Sequence, residues 1–294
     1  MTRRRARRAA ALRPHRAWTP YVFLAPAGFI LGTFILAAML QVVYFSFTDH
    51  NVFRGGSFVG LENYRRLFND QAFWFCLGNS FIYLLVTPVL MALSLGAAMV
   101  VHAGLRGMTL LRVLLFMPVV TPTIVAAIAF RLLLDEDGGL INAVLGRAGV
   151  GALPWLTGHP WTLVSAMLVT LWKGFGYYMM IFLAGLMAVP RDLEEAAAID
   201  GAGRLGVFLN VTLPSLRPIL VLVAVISSIS ALKVFDELFI TVKGVPVSQQ
   251  TVVPLIYDTA FVRGEFGLAC AIGVVLFVVV LLFSMVQMRV ARDR

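Results

Sequence analysis

Along this chain, long apolar runs alternate with short polar breaks. Runs of about 20 residues or more, long enough to cross a hydrocarbon layer, fall near residues 20–47, 77–102, 110–134, 161–188, 216–241 and 267–288. Phe53-Arg54-Gly55-Gly56-Ser57, Asp135-Glu136-Asp137-Gly138-Gly139 and Val242-Lys243-Gly244-Val245-Pro246 read as the loops between some of them. The pattern predicts an all-α integral membrane protein with six transmembrane helices. The first run is too long for a cleaved signal, and no small-residue cleavage site follows a short apolar core. No internal repeat is visible. The predicted organisation is a basic tail (1–19), a first transmembrane helix with its outer loop (20–76), a five-helix core (77–288) and a short C-terminal tail (289–294). A five- or seven-span rival needs one re-entrant run, and the Pro118/Pro122 stretch is the candidate for it.

Composition agrees with this reading. The 294 residues are 60% hydrophobic and 13% charged, with a mean hydropathy of +0.89, whereas soluble domains carry roughly 25% charged residues. The net charge of +9 does not point to nucleic acid, because the basic residues flank spans instead of forming a patch interleaved with aromatics. Cys76 and Cys270 have no metal-like spacing and read as small packing residues, a disulfide between outer helix ends being the other possibility. The histidines, His15, His50, His102 and His159, are too scattered for a metal cluster.

Loop charges set the orientation. One set of alternate loops carries 15 arginines, among them Arg3, Arg106, Arg191, Arg217 and Arg289, against 6 Lys/Arg in the other set, which also holds most of the loop acids. Both termini and the segment 190–217 are therefore expected in the cytoplasm.

That segment is the most informative in the chain. Asp192 is expected to cap a short helix, with Glu195 reaching back towards the cap and Glu194 and Glu195 in the first turn, where the helix dipole favours acids. Ala196, Ala197 and Ala198 form helix readily and let another backbone approach closely. Gly201 suits a C-cap or turn. A second short helix, with Phe208 and Val211 on its apolar side, leads through Leu213-Pro214 and Pro218 back into the membrane. The residues suit a docking surface for another protein; a hairpin that merely joins two spans is the plainer reading.

Ionisable residues inside a span are costly and point to function. Lys173 lies near the middle of the fourth span, in Leu171-Trp172-Lys173-Gly174-Phe175-Gly176-Tyr177-Tyr178. Trp172, Tyr177 and Tyr178 offer flat faces with polar tips, suited to a sugar's C–H faces and hydroxyls and equally suited to packing. Lys173 can instead neutralise an acid on another helix. Lys233, Asp236 and Glu237 have the i, i+3, i+4 spacing of one helical face, either a self-neutralised packing cluster or a polar wall of a path. Arg131 is expected to snorkel to the headgroups. No Walker A sequence, Gly-x-Ser-x-Gly or His-Glu-x-x-His is present, so neither P-loop ATP binding nor an intramembrane hydrolase is expected of this chain. A secondary transporter typically shows matched repeats or broken helices, which the sequence does not display.

The series Glu195-Ala196-Ala197-x-x-Asp200-Gly201-Ala202, Phe208, Leu213-Pro214, Pro218 resembles the EAA loop of binding-protein-dependent ABC importer permeases. Pro26, Ser46-Phe47-Thr48-Asp49, Phe58-Val59-Gly60-Leu61-Glu62-Asn63-Tyr64, Asn79, Pro118, Gly139-Leu140-Ile141-Asn142, Phe235-Asp236 and Tyr257 resemble the sugar-permease branch, its maltose-, multiple-sugar- and glycerol-phosphate-type members, and within it the first, maltose-F-like subunit. The chain departs from that branch at Thr241-Val242-Lys243-Gly244-Val245-Pro246, where the branch usually reads Thr-x-Gly-Gly-Pro. The resemblance implies a type I importer permease fold in a bacterial inner membrane. It implies that Glu195, Ala196, Ala197, Asp200, Gly201 and Ala202, within a coupling loop at 190–214, dock on a separate ATPase. A second homologous permease, two ATPase subunits holding ATP and Mg2+, and an extracytoplasmic solute-binding protein that meets loops 49–76, 135–160 and 243–266 complete the implied assembly. No cofactor is expected on this chain. Trp172, Lys173, Tyr177, Tyr178, Asp236 and Glu237 are the candidate path residues, Asp236 matching a position where the branch often has aspartate. The substrate is expected to be a sugar, with a glycerophosphodiester or glycerol phosphate as the alternative.

Overall fold

The computed structural model describes residues 18–51, 55–104, 107–242 and 245–292. The arginine-rich tail, Arg54, Arg106 and the Lys243-Gly244 pair lie outside the described residues.

The candidate membrane-crossing segments are built from helices, which satisfy their own backbone within a lipid layer. Helix α1 (Pro20–Ser46) is followed by α2 (Glu62–Asn69) and by α3 (Gln71–His102). Helices α4 (Met108–Val120) and α5 (Thr123–Leu133) form a pair bent by 95°. After α6 (Leu140–Arg147) comes the long α7 (Trp161–Met187). The loop helices α8 (Arg191–Ile199) and α9 (Arg204–Ser215) precede α10 (Arg217–Leu232), which meets α9 at 66°. Helices α11 (Asp236–Thr241) and α12 (Val252–Val262) are short, and α13 (Phe266–Arg292) ends the fold. Among the described residues four helices, α1, α3, α7 and α13, are long and apolar enough to cross a membrane, and there are up to six crossings if each bent pair is one span.

Two predicted spans are not the straight helices the apolar runs suggest. The third turns at Thr121, whose ψ of 129° is extended, because Pro122 disfavours the helical region for the residue before it. The fifth stops at Leu232; Lys233, Val234 and Phe235 are non-helical and a new helix starts at Asp236. Lys233, Asp236 and Glu237 therefore do not share one helical face. The break has an electrostatic logic: Lys233 sits at the negative C-terminal end of α10, and Asp236 and Glu237 sit in the first turn of α11.

Packing between helices in lipid relies on small residues and interhelical hydrogen bonds. Gly176 of α7 lies against the α4 backbone so closely that a Cβ there would land on the Leu115 carbonyl oxygen. Tyr83 of α3 hydrogen-bonds Thr170 of α7 (2.7 Å), and the Ser94 hydroxyl donates to the Phe175 carbonyl (3.0 Å). On α13, Gln287 Nε2 donates to Ser228 of α10 (2.9 Å), and an Arg217 guanidinium nitrogen donates to the Ala291 carbonyl. Both cysteines are buried thiols, Cys76 donating to the Val247 carbonyl at 3.3 Å.

The asparagines of the branch-like motifs act as clamps. Asn63 Nδ2 donates to the Ser46 and Thr48 carbonyls, fixing the C-terminal end of α1. Asn79 donates to the Gln249 and Gln250 carbonyls and meets His159 through Oδ1 (3.1 Å). Asn142 Oδ1 accepts from Leu153 N and Trp155 Nε1, while its Nδ2 donates to the Glu136 and Leu153 carbonyls. These bonds tie the connecting segments to one another and to the ends of α1 and α3.

Candidate functional site

A cavity of about 350 Å³ lies where α3, α4, α7 and α10 meet the start of α11. Lys173, Tyr177 and Tyr178 enter it from α7, joined by Thr170; Tyr83 enters from α3, Ser227 and Ser230 from α10, and Glu237 from α11. The bend at Thr121 brings Val119, at the end of α4, to the same wall. Gly174 adds no bulk there, leaving the neighbouring Tyr178 ring and Leu90 in van der Waals range of where its Cβ would be.

The cavity holds one basic and one acidic side chain. Lys173 and Glu237 line it together without an ion pair among the described residues, and Glu237 reaches it where the chain restarts after the break at Leu232. Around this pair stand the hydroxyls of Tyr83, Thr170, Tyr178, Ser227 and Ser230, with the half-exposed Tyr177 ring set edge-on to Tyr178 at 5.1 Å. The arrangement can hydrogen-bond a hydroxylated solute and stack against its apolar faces. Glu237→Gln removes the one acidic side chain of this lining and leaves Lys173 in it. Uptake of a neutral solute is expected to fall about tenfold or more, and adding Lys173→Met is expected to recover part of the loss in a double-mutant cycle of initial rates.

Two of the expected path residues stand elsewhere. Trp172 is exposed and packs on Phe130 of α5 (5.7 Å), and Asp236 is exposed at the first residue of α11. Neither lines the cavity. Tyr83, Thr170, Ser227 and Ser230 do, and were not singled out from sequence; the cluster Ser227-Ser228-x-Ser230 inside an apolar run is the signal that marks the last two.

The cytoplasmic-type loop forms a compact hairpin. Helix α8 starts at Arg191, two residues earlier than a cap at Asp192 implies, so Asp192 sits within the first turn with Glu194 and does not cap; Pro190 is the cap residue and makes no side-chain bond. The proline's fixed φ and extended ψ of 126° set the entry instead. At the far end Gly201 has φ +86°, its N–H reaches the Ala198 carbonyl (3.1 Å), and Ala202 N–H reaches the Ala197 carbonyl (3.0 Å). This pair of bonds is a complete Schellman ending. Thr212 in α9 donates to Glu194 Oε1 (2.8 Å), closing α9 onto α8. Glu195, Ala196 and Asp200 are exposed, as is Ile199 at 86%, while Ala197 and Ala202 are half-buried in the hairpin.

Among the described residues no cluster of His, Cys, Asp and Glu could hold a metal ion.

Residues 89–293 match the family described as the binding-protein-dependent transport system inner membrane component. The chain belongs to that family. This permease is 32% identical over 280 residues to the trehalose/maltose transport system permease protein MalF of Thermococcus litoralis, covering 93% of this chain and 94% of that one. It is 31% identical over 282 residues to the lactose transport system permease protein LacF of Rhizobium radiobacter, with 93% and 94% covered. Its fold matches a chain of a bacterial alginate ABC transporter, solved in complex with alginate pentasaccharide-bound periplasmic protein, with a TM-score of 0.81 at 20% identity over 94% of each chain. The permease is thus the multi-pass inner-membrane component of a binding-protein-dependent ABC importer and not itself an ATPase.

Proposed function

We propose that this permease forms half of the translocation path for a neutral sugar, and that α8 and its Gly201 ending couple the path to a separate ATPase. The observation that carries the substrate reading is the lining of the cavity: one basic and one acidic side chain, Lys173 and Glu237, with hydroxyls beside aromatic rings for its other polar groups. A phosphodiester calls for an uncompensated cation in the path. Lys233 has no ion-pair partner among the described residues, but it borders a groove between α10 and α13, outside this cavity. Relatives named for trehalose/maltose and lactose transport support the same choice.

The coupling reading rests on the exposed face of α8, with Glu195, Ala196, Ile199 and Asp200 outward, on a hairpin stiffened by the Glu194–Thr212 bond. The partners are a second homologous permease, two ATPase subunits carrying ATP and Mg2+, and a solute-binding protein at the outer loops; the alginate-type neighbour with its periplasmic protein supports the last of these. Both chain ends lie in the cytoplasm with the coupling loop. The Arg217–Ala291 contact supports this side, since it ties the exit of the loop to the end of α13.

The test is to purify tagged permease from membranes in mild detergent and assay ATPase activity with the binding protein plus trehalose, maltose, lactose or glycerophosphocholine. Co-purification of a second permease and an ATPase, with stimulation by one of the sugars, is the expected result. Stimulation by glycerophosphocholine alone overturns the sugar assignment, and a preparation without ATPase overturns the coupling one.

A further inference from the structure

A second cavity, of about 500 Å³, lies on the outer side of α11, walled by α5, the loop 245–250 and α12. Its size is that of an ordinary small-ligand pocket. Arg131 of α5 borders it and makes no hydrogen bond or ion pair among the described residues; it lines a cavity instead of reaching only to headgroups. Asp258 of α12 borders it too, one carboxylate oxygen accepting from Arg263 Nε at 2.7 Å. Gln250 also lines the cavity, is only 6% exposed, and donates through Nε2 to the Val245 carbonyl. That bond fixes the amide's orientation, and its buried Oε1 has no partner, an arrangement a native fold rarely leaves unexplained.

Beside these polar groups stands a run of aromatic rings. Phe239 meets Tyr257 edge-on at 5.1 Å and stacks on Phe235 at 5.0 Å, and Tyr257 contacts Phe261 at 5.3 Å. Phe239, Tyr257 and Phe261 are exposed. Phe235 directly precedes Asp236 and Glu237, so the row leads from the outer cavity to the acid that closes the inner one.

We propose that this outer cavity is a second sugar subsite, which holds a sugar ring on the Phe239 and Tyr257 faces, with Arg131 donating to its hydroxyls and Asp258 accepting from them, before the ring passes to the cavity at Lys173 and Glu237. The inference rests on the sugar-importer reading and adds to it a site on the entry side. A guanidinium and carboxylate with an aromatic floor match a pyranose, which is apolar on its faces and polar at its rim.

The experiment uses the complete transporter in membranes, with Phe239→Cys in one preparation and Tyr177→Cys in another. The native thiols are buried, so a hydrophilic thiosulfonate reagent reads the introduced ones. Trehalose, maltose and lactose are each added with the binding protein. The expected result is that one sugar slows labelling at both positions, and that Arg131→Gln raises the sugar concentration for half-maximal uptake about tenfold with the maximal rate unchanged, the size of one charge-assisted hydrogen bond. Protection at Tyr177→Cys without protection at Phe239→Cys overturns the outer subsite and leaves the sugar reading standing. A Phe239→Cys thiol that never reacts shows the cavity covered by lipid or the second permease, and also overturns it. Protection at neither position by any of the sugars, with both thiols reactive, removes the sugar reading and the subsite together.

Discussion

Gly201→Pro is expected to abolish transport while the protein still reaches the membrane at normal levels. Three losses coincide at this position. Proline fixes φ near −65°, whereas Gly201 holds +86°. It removes the N–H that bonds the Ala198 carbonyl, and the displaced chain takes the Ala202–Ala197 bond with it. The end of α8 then frays next to the exposed Ile199 and Asp200, the surface assigned to the ATPase. Gly201→Ala gives the graded comparison: it keeps the N–H and costs about 1–2 kcal/mol for a left-handed alanine, so partial transport is expected. Glu195→Lys tests the surface without touching the turn, because Glu195 is exposed, and should release the ATPase on purification. The measurements are sugar uptake per membrane-inserted protein and ATPase recovered with the tag. Normal uptake by Gly201→Pro at normal levels removes the coupling role from this loop.

The second large effect is expected from Gly176→Leu, which should prevent stable packing of α4 on α7. The Cβ of any larger residue meets the Leu115 carbonyl oxygen and the Phe116 Cα, backbone atoms that cannot rotate aside. Overpacking commonly costs about 1–3 kcal/mol, and a backbone clash belongs at or above the top of that range. The neighbouring Gly174→Ala is the control, since its Cβ would touch only the Leu90 and Tyr178 side chains, at 3.4 and 3.5 Å. Detergent-solubilised protein followed by size-exclusion profile and thermal unfolding should show a lost or strongly destabilised Gly176→Leu and a near-native Gly174→Ala. Equal behaviour of the two would mean that the α4–α7 crossing is not set by this contact.

Four of the spans were legible because hydropathy measures length and apolarity, and those are what α1, α3, α7 and α13 have in excess. Direction is a different property. The run at 110–134 stays apolar through a 95° turn; the mark is the Pro118/Pro122 stretch, in which Pro122 sets the turn through Thr121. The run at 216–241 hides a break because Lys233, Asp236 and Glu237 satisfy a helical spacing that the chain does not use; stabilisation by two opposed helix ends was available instead. In the site, Lys173 and Glu237 stood out because charge at membrane depth is costly. Tyr83, Thr170, Ser227 and Ser230 did not, since small hydroxyls are ordinary glue between membrane helices. Trp172 and Lys173 are neighbours in sequence but about 100° apart around α7, so only one of them faces the cavity.

The C-terminal end of α1 is fastened to the start of α13. Gly267 N–H bonds the His50 carbonyl, and a side chain at Gly267 would collide with the Thr48 carbonyl. The 18-residue window that marks α1 as a candidate span has no buried residue. Helix α1 therefore owes its place to fastenings at one end, Asn63 of α2 and Gly267 of α13, and losing either would loosen it while the α3–α7–α10 core around the cavity keeps its own packing.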